Sequence, residues 1–177
     1  GPGLNLNQYS INKIKSLFKT NKNIVVDAGA ISNFKGKLNT LKDIIYGKNA
    51  VITPHEGELR SIMPNLKGNC IDKALKAASE LNCIVVLKGA TTVIASPDNK
   101  AIVNCAGAKW LATAGSGDVL AGIICGTLSN KMDSFLASAF SVWMHSEIGN
   151  YLGPGLVAED IPENINLIYK KLLKKNI

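Results

Sequence analysis

The residues best suited to chemistry lie between positions 111 and 122, where small residues precede a predicted helix. Gly115, Ser116 and Gly117 let the backbone turn tightly and approach a ligand, and Asp118 follows directly. The apolar residues after Asp118 have helical spacing. The first N–H groups of a helix have no partner within it and lie at the positive end of its dipole, where an anion binds readily. An aspartate is also common there as a capping residue, so the segment by itself leaves both interpretations open.

Polar side chains also follow three short apolar runs, which the sequence predicts to be buried parallel strands. The runs are Asn23–Asp27, Ala50–Thr53 and Cys83–Leu87. Asp27 ends the first run, and His55 and Lys88 come just after the other two. The carboxyl ends of parallel strands are where open α/β sheets bind ligands, and a lysine near glycine and hydroxyl groups can hold phosphates. Taken singly, His55 is equally consistent with a structural histidine, and Lys88 with an ordinary lysine that points into solvent.

The elements that must position these residues alternate between strands and helices. The first helical pattern has one amphipathic face, formed by Ile11, Ile14, Leu17 and Phe18. Further helical patterns cover Leu38–Tyr46, Asp72–Asn82, Gly117–Ser129, Ser134–Tyr151 and Asp160–Lys174. Two strands, Val93–Ala95 and Ala101–Asn104, flank turn residues and predict a hairpin. This order predicts an α/β fold with a mostly parallel, helix-covered sheet and one antiparallel hairpin.

The helix predicted over Ser134–Tyr151 is apolar around most of its circumference, so we expect it to be buried. His145 lies on this helix, and we interpret it as a structural residue. In the helix predicted over Asp72–Asn82 the apolar face includes Leu75, Ala78 and Leu81. The lysines near the end of the chain favour a helix C-terminus, and they are Lys170, Lys171, Lys174 and Lys175.

Composition limits the functions that the chain can have. Its 177 residues fit one domain, and 46% hydrophobic with 19% charged residues is typical of a folded protein. The net charge of +7 suits anionic small molecules, and no aromatic-basic pattern indicates nucleic acid. The four cysteines show neither a Cys-x-x-Cys pair nor metal spacing, which is typical of a reducing compartment. With no membrane-length apolar run and no signal peptide, we expect a soluble cytoplasmic domain.

Four segments, taken together, match the pattern of a known family. They are Gly1-Pro2-Gly3-Leu4, Thr53-Pro54-His55-Glu56-Gly57-Glu58, Leu87-Lys88-Gly89-Ala90-Thr91-Thr92 and Leu111–Gly122. These segments resemble the ADP/ATP-dependent NAD(P)H-hydrate dehydratases, which have the ribokinase-like fold. The second segment is the specific one, since the last segment alone would fit any ribokinase-like kinase. The resemblance implies a single ribokinase-like domain over residues 1–177, the C-terminal portion of a dehydratase domain, with helices on both faces of the sheet.

The activity that the resemblance implies is the repair of a damaged cofactor. A hydro-lyase of this family removes water from hydrated NADH or NADPH, in the (S) form, at the expense of ADP or ATP. The hydroxyl on the reduced nicotinamide ring is phosphorylated, and phosphate leaves as the ring double bond forms again. Bacterial members typically use ADP and eukaryotic members ATP, and no residue type here decides between them.

The resemblance also implies roles for individual residues. Asp118 is the base that takes the hydroxyl proton, and Gly3, His55 and Asp118 contact the hydrated cofactor. The residues similar to the family's nucleotide-binding residues are Lys88, Gly89, Ala90, Thr91, Thr92 and Gly117. The N–H groups that would form an anion hole for the transferring phosphoryl group are those of Gly115, Ser116, Gly117 and Asp118. Mg²⁺ would bridge the phosphates, with Glu58 as a contact through water.

The chain departs from the family pattern in two ways. Asn5 stands where the family has a glycine, and the strand–helix units that precede this region in the family are missing. Removing strands from a parallel sheet exposes backbone edges and apolar helix faces. We therefore expect the chain to form a homo-oligomer, to pair with a complementary N-terminal fragment, or to be a remnant with little activity.

Two other functions stay open at this point. One is a ribokinase-like kinase acting on a vitamin alcohol such as a thiazole or a pyridine. The other is a truncated chain that is inactive or only binds a nucleotide. Neither nucleic acid nor a membrane is an expected partner.

Overall fold

Five strands form one sheet, and their order in the sheet is their order in the chain. The computed structural model describes residues 1–174, so Lys175 and the end of the predicted 1–177 domain lie outside the described residues. The strands are β1 (Ile24–Val26), β2 (Ala50–Ile52), β3 (Ile84–Leu87), β4 (Thr92–Ala95) and β5 (Ala101–Asn104). β1, β2 and β3 are parallel, whereas β4 is antiparallel to both β3 and β5. The predicted mostly parallel sheet and the predicted β4–β5 hairpin are confirmed, and β3 with β4 forms a second antiparallel pair that the sequence did not predict.

Helices cover both faces of this sheet. They are α1 (Gln8–Phe18), α2 (Gly29–Ser32), α3 (Leu38–Ile45), α4 (Glu56–Ile62), α5 (Cys70–Leu81), α6 (Ser116–Ser129), α7 (Ser134–Leu152), α8 (Asp160–Glu163) and α9 (Ile165–Lys174), with a short 3₁₀ helix at Lys109–Leu111. Side chains along a strand alternate between faces. Val85 and Leu87 of β3 accordingly pack in the core that contains α1 to α5, and Ile84 and Val86 pack in the core that contains α6 and α7.

The helix predicted from residue 72 begins two residues earlier because Asn69 caps it. The Asn69 side chain accepts hydrogen bonds from the N–H groups of Ile71 and Asp72, and the Asp72 carboxylate accepts one from the Asn69 N–H. This reciprocal pair is a capping box. Leu75 is only half-buried, so the buried face of α5 lies on its alanines and on Leu81.

Leu17 does not belong to the buried face of α1, contrary to the prediction. Ile11, Ile14 and Phe18 form that face, whereas Leu17 is 58% exposed. The buried residues follow i, i+3 and i+7 spacing, and Leu17 lies to one side of this stripe. The prediction that α7 is buried is confirmed for most of its length, although Leu136 is exposed.

The single helix predicted over Asp160–Lys174 is two helices, α8 and α9, with Asn164 between them. The Asn164 side chain donates a hydrogen bond to the Asp160 carbonyl at 2.8 Å, and its backbone N–H donates to Ile161 instead. A side chain thus takes the carbonyl that would continue the helical ladder. At the start of α8, Glu159 makes no capping hydrogen bond, and the Asp160 carboxylate accepts one from the Val157 N–H at 3.0 Å.

Across residues 1–174, none of the helices combines the length and the apolar character that a membrane crossing requires.

Candidate active site

Three polar residues meet at one edge of the sheet because the strands that carry them are parallel. Asp27 follows β1, His55 lies just beyond β2, and Lys88 follows β3. His55 and Lys88 form an isolated parallel bridge, and the Lys88 N–H donates to the Pro54 carbonyl at 2.8 Å. The backbone beyond the strands therefore stays in register up to this edge, where ligands bind in open α/β sheets.

Lys88 is held by a buried carboxylate. Its Nζ lies 2.7 Å from Oδ1 of Asp27, which is 3% exposed, and the Thr53 hydroxyl donates to the same oxygen at 2.7 Å. Oδ2 of Asp27 is buried and has no hydrogen-bond partner within residues 1–174. An ammonium group has three donors, so the ion pair fixes the lysine while leaving N–H groups for a ligand.

The turn after Asp27 is strained. Ala28 has φ 50° and ψ −121°, a backbone conformation that glycine normally occupies. Strain of this kind is typical of functional sites and persists only where the surroundings hold it. Here it lies beside the buried ion pair at the edge of the sheet.

The start of α6 presents backbone amides, as the glycine-rich sequence predicts. Gly115 has φ +86°, and a Cβ at this position would lie 3.1 Å from the Ala158 Cβ. Both the backbone angle and the limited space therefore favour glycine. The Ser116 N–H donates to the Thr113 carbonyl at 3.3 Å, and the Val119 N–H donates to Gly115. Within the described chain the amides of Gly117 and Asp118 find no acceptor.

The lysine and the free amides lie together. A Cβ placed on Gly117 would be 3.3 Å from Nζ of Lys88. The ammonium group thus lies beside Gly117 in the first turn of α6, near the positive end of the α6 dipole, where an anion such as a phosphate is favoured.

A cavity of about 570 Å³ opens beside this cluster. The predicted site residues that line it are His55, Lys88, Gly89, Ala90, Thr92, Ser116 and Gly117. Its remaining walls come from α6, from α7 and from the segment before α6, namely Gly107, Ala108, Lys109, Leu111 and Ala112. The volume lies in the range of small-molecule and cofactor pockets.

The other predicted site residues stand outside the walls of this cavity. Asp118 is exposed in the first turn of α6, directly after Gly117, which does line the cavity. Gly3 is exposed at φ +79°, in the turn that packs over Gly29, where a Cβ would lie 3.0 Å from the Leu4 carbonyl. Their predicted contacts with the hydrated cofactor stay predictions, as do the roles of Thr91 and Gly115.

His55 caps α4 through its ring. Its Nδ1 accepts hydrogen bonds from the N–H groups of Gly57 and Glu58 at 3.0 and 3.2 Å, so the proton of the neutral ring is on Nε2. The side chain is 60% exposed, and Nε2 lies 3.7 Å from Oε2 of Glu58, beyond the distance of a hydrogen bond. His55 thus has a structural role at Nδ1 and a free face at the cavity.

Glu58, the predicted water-mediated contact to Mg²⁺, completes this capping box. Its Oε2 accepts a hydrogen bond from the His55 N–H at 2.8 Å, and its side chain is only 10% exposed. Within residues 1–174 no three histidine, cysteine or acidic side chains converge as metal ligands. The residues present therefore do not form a cage for a divalent cation.

His145 is a wall residue of the cavity that the sequence pattern did not mark as functional. It is 6% exposed, and its Nε2 lies 3.0 Å from the Ser116 carbonyl at the start of α6. Burial lowers its pKa from 6.5 to about 4, more than the contact with Ser116 raises it. No local pattern marks this residue, because only the packing of α7 on α6 brings it to the site.

Residues 1–165 match the model of the NAD(P)H-hydrate dehydratase family. The chain belongs to this family. The ADP-dependent (S)-NAD(P)H-hydrate dehydratase of Xanthomonas campestris is 32% identical over 159 residues, which cover 84% of this chain and 52% of that protein. The chain spans about half or less of the length of the first curated relatives of the dehydratase family that it matches.

Solved structures confirm the fold of this dehydratase-family chain. The ADP/ATP-dependent NAD(P)H-hydrate dehydratase of Bacillus subtilis, co-crystallised with ATP/Mg²⁺ and soaked with CoA, superposes with a TM-score of 0.84 at 26% identity. That match covers 97% of this chain and 64% of the Bacillus chain. A ribokinase-like superfamily protein from Enterococcus faecalis superposes with a TM-score of 0.79 at 24% identity, covering 97% of this chain and 61% of that one. The predicted ribokinase-like fold is confirmed.

Proposed function

We propose that this chain carries out the ADP- or ATP-dependent dehydration of (S)-hydrated NADH and NADPH back to NADH and NADPH. The observation that carries the proposal is the position of Lys88, anchored by Asp27 and next to Gly117 at the start of α6, beside a cavity of about 570 Å³. Membership of the dehydratase family supplies the reaction class.

The nucleotide is the ligand that we assign to the cavity. The segment from Lys88 to Thr92 and the start of α6 both line the cavity, and Gly117 lies next to Lys88, so a phosphate chain here would meet one ammonium group and a helix start. Thr91 belongs to the same segment. Hydrogen bonds from charged donors to phosphate are about twice as strong as neutral ones, and that difference favours phosphates over a neutral ligand.

Asp118 is the general base in this proposal. It takes the proton of the ring hydroxyl, whose oxygen attacks the terminal phosphorus of the nucleotide as the bond to the bridging oxygen breaks. The amides of Gly117 and Asp118 stabilise the charge that develops on the transferring group. Phosphate then leaves with the hydroxyl oxygen, a proton is lost from the neighbouring ring carbon, and the ring double bond forms. ADP would yield AMP and phosphate, and ATP would yield ADP and phosphate.

The hydrated nicotinamide ring would then lie on the Asp118 side of the α6 start, with His55 and Gly3 as neighbours. Exposed Asp118 and the exposed side chain of His55 support this placement. Since the described residues build no cage for Mg²⁺, we propose that a magnesium ion enters with the nucleotide and is held by phosphates and water.

Two further parts of the proposal concern the surroundings of the site. Within residues 1–174, β1 pairs with β2 alone, and Gly122 and Cys125 are exposed on the helix next to it. A free strand edge is a template for another strand, so we propose association along β1 with a second copy or a complementary N-terminal fragment. A chain that stays monomeric in sedimentation, alone and with that fragment, would contradict the proposed association.

The four unpaired cysteines support a cytoplasmic location.

The test is conversion of hydrated NADH by the purified chain with Mg²⁺ and either ADP or ATP, followed through the absorbance of restored NADH. We expect nucleotide-dependent conversion, with one phosphate released for each NADH, and its loss in Asp118→Asn. Asp160→Asn is the matched control, because this carboxylate also lies at a helix start but does not line the cavity.

Tight nucleotide binding without conversion would overturn the proposal and favour a chain that only binds a nucleotide. Phosphorylation of a thiazole or pyridine alcohol, with hydrated NADH ignored, would favour a ribokinase-like kinase instead.

A further inference from the structure

His145 joins α7 to the first turn of α6. It is 6% exposed, lines the cavity, and makes its hydrogen bond with the backbone carbonyl of Ser116 at 3.0 Å. An apolar side chain of similar size would fill the same space without the cost of burying a polar ring. The choice of an imidazole here therefore calls for a reason beyond packing.

The hydrogen bond fixes the protonation state of the ring. A carbonyl oxygen only accepts, so Nε2 of His145 must carry the proton and donate it. Burial lowers the pKa of the ring to about 4, so the imidazole is neutral at neutral pH and Nδ1 has no proton. His145 is thus a fixed, uncharged donor to the Ser116 carbonyl.

The Ser116 carbonyl and the Gly117 N–H belong to the same peptide group. No cis peptide occurs in the described residues, so the carbonyl and the N–H point in opposite directions in one plane. Fixing the oxygen therefore fixes the direction of the hydrogen. The Ser116 hydroxyl, which donates to the Leu111 carbonyl at 2.6 Å, holds the same residue from its side chain.

We propose that His145 is a positioning residue, which holds the Ser116–Gly117 peptide so that the Gly117 N–H faces the phosphoryl group. The inference rests on the proposed function for the identity of the ligand. It adds that the Gly117 N–H, the donor of the anion site, is oriented by the imidazole of His145 on α7, which binds the carbonyl of the same peptide group. In this arrangement His145 acts on the anion site through the Ser116–Gly117 peptide group.

Two substitutions at this position separate the hydrogen bond from packing. His145→Phe keeps a planar ring, of somewhat larger volume, and removes the donor, whereas His145→Gln keeps a donor at a similar reach. Ser141→Ala is the matched control, because Ser141 also joins α7 to α6, through the Thr127 hydroxyl at 3.0 Å, but far from the start of α6. We expect kcat for hydrated NADH to fall roughly 10- to 100-fold in His145→Phe, since a lost oxyanion donor typically costs about 10²–10³-fold and this one is misaligned rather than removed.

A structural role alone would give a different pattern. We expect KM for the nucleotide to change less than kcat in His145→Phe, His145→Gln to recover most of kcat, and Ser141→Ala to lose stability but not kcat. A His145→Phe enzyme with wild-type kcat would overturn the inference. So would a loss of kcat in Ser141→Ala equal to that in His145→Phe.

A second measurement keeps this inference distinct from the proposed function. ¹⁵N NMR should report the Nε2–H tautomer of His145, and addition of a non-hydrolysable ATP analogue should shift the Gly117 amide resonance in the wild type and much less in His145→Phe. If hydrated NADH is not converted but this difference is seen, the proposed function fails and the positioning role stands. An equal shift in both proteins, or the Nδ1–H tautomer, would overturn the positioning role itself.

Discussion

Replacing Lys88 by methionine tests whether one ammonium group both stabilises the fold and binds the nucleotide. Methionine keeps most of the apolar stem and removes the charge. Asp27, which is 3% exposed, would then keep the Thr53 hydroxyl at 2.7 Å as its hydrogen-bond donor. A buried carboxylate without a counter-ion is costly, so Lys88→Met should destabilise the protein as well as weaken nucleotide binding.

The size of both effects follows from the geometry. Removing one member of a buried ion pair costs about 3–5 kcal/mol, and because the Lys88 side chain is 19% exposed we expect about 3 kcal/mol, the lower end. Adding Asp27→Asn removes the unpaired carboxylate, so the free energy of unfolding of the double variant should lie within about 1 kcal/mol of the wild-type value. Its nucleotide affinity should stay low, because a charged hydrogen bond to phosphate is worth about 1.5–3 kcal/mol, or roughly 10- to 150-fold in Kd.

Urea denaturation and calorimetric titration with ADP and ATP, at fixed ionic strength, measure the two quantities on the four proteins of this cycle. Stability should recover in the double variant while affinity does not. If the double variant binds nucleotide like the wild type, Lys88 does not contact the phosphates. If Lys88→Met alone is as stable as the wild type, the Asp27 carboxylate does not depend on the lysine.

Three further outcomes follow from single residues. Because burial lowers the pKa of His145 from 6.5 to about 4, the unfolded chain binds more protons between these values. Acidification from pH 7 to pH 4 should therefore remove up to about 3 kcal/mol of the free energy of unfolding, measured by urea denaturation. The His145→Phe variant should not show this loss. Gly115→Ala should destabilise by about 1–3 kcal/mol, since φ is +86° and Ala158 lies 3.1 Å from the new Cβ. Ala28→Gly should raise the thermal midpoint, by the equivalent of about 1 kcal/mol, because it relieves the positive φ; a lower midpoint would contradict the strain.

The residues at the edge of the sheet could be predicted because their signals are local. Short apolar runs mark the strands before Asp27, His55 and Lys88, and parallel pairing then brings the three together. The glycine turn before α6 is equally local, since Gly115 adopts the positive φ that its residue type allows.

Features that depend on packing could not be predicted in this way. The bond between Asp27 and Lys88 joins residues 61 positions apart, and no pattern in either segment names the partner. His145 lies on a helix that is apolar around most of its circumference, so its contact with Ser116 depends on how α7 packs against α6. The break at Asn164 depends on one side-chain hydrogen bond, which competes with a helical pattern that continues on both sides.

A crystal structure of the chain with a non-hydrolysable ATP analogue tests the central claim most directly. The account predicts that the terminal phosphate lies within hydrogen-bond distance of Nζ of Lys88 and of the Gly117 and Asp118 amides, with the rest of the nucleotide in the cavity. A nucleotide bound elsewhere would contradict it, for example in the second cavity that Glu147 and Tyr151 of α7 line together with Lys171 of α9. Phosphates that point away from the start of α6 would contradict it as well.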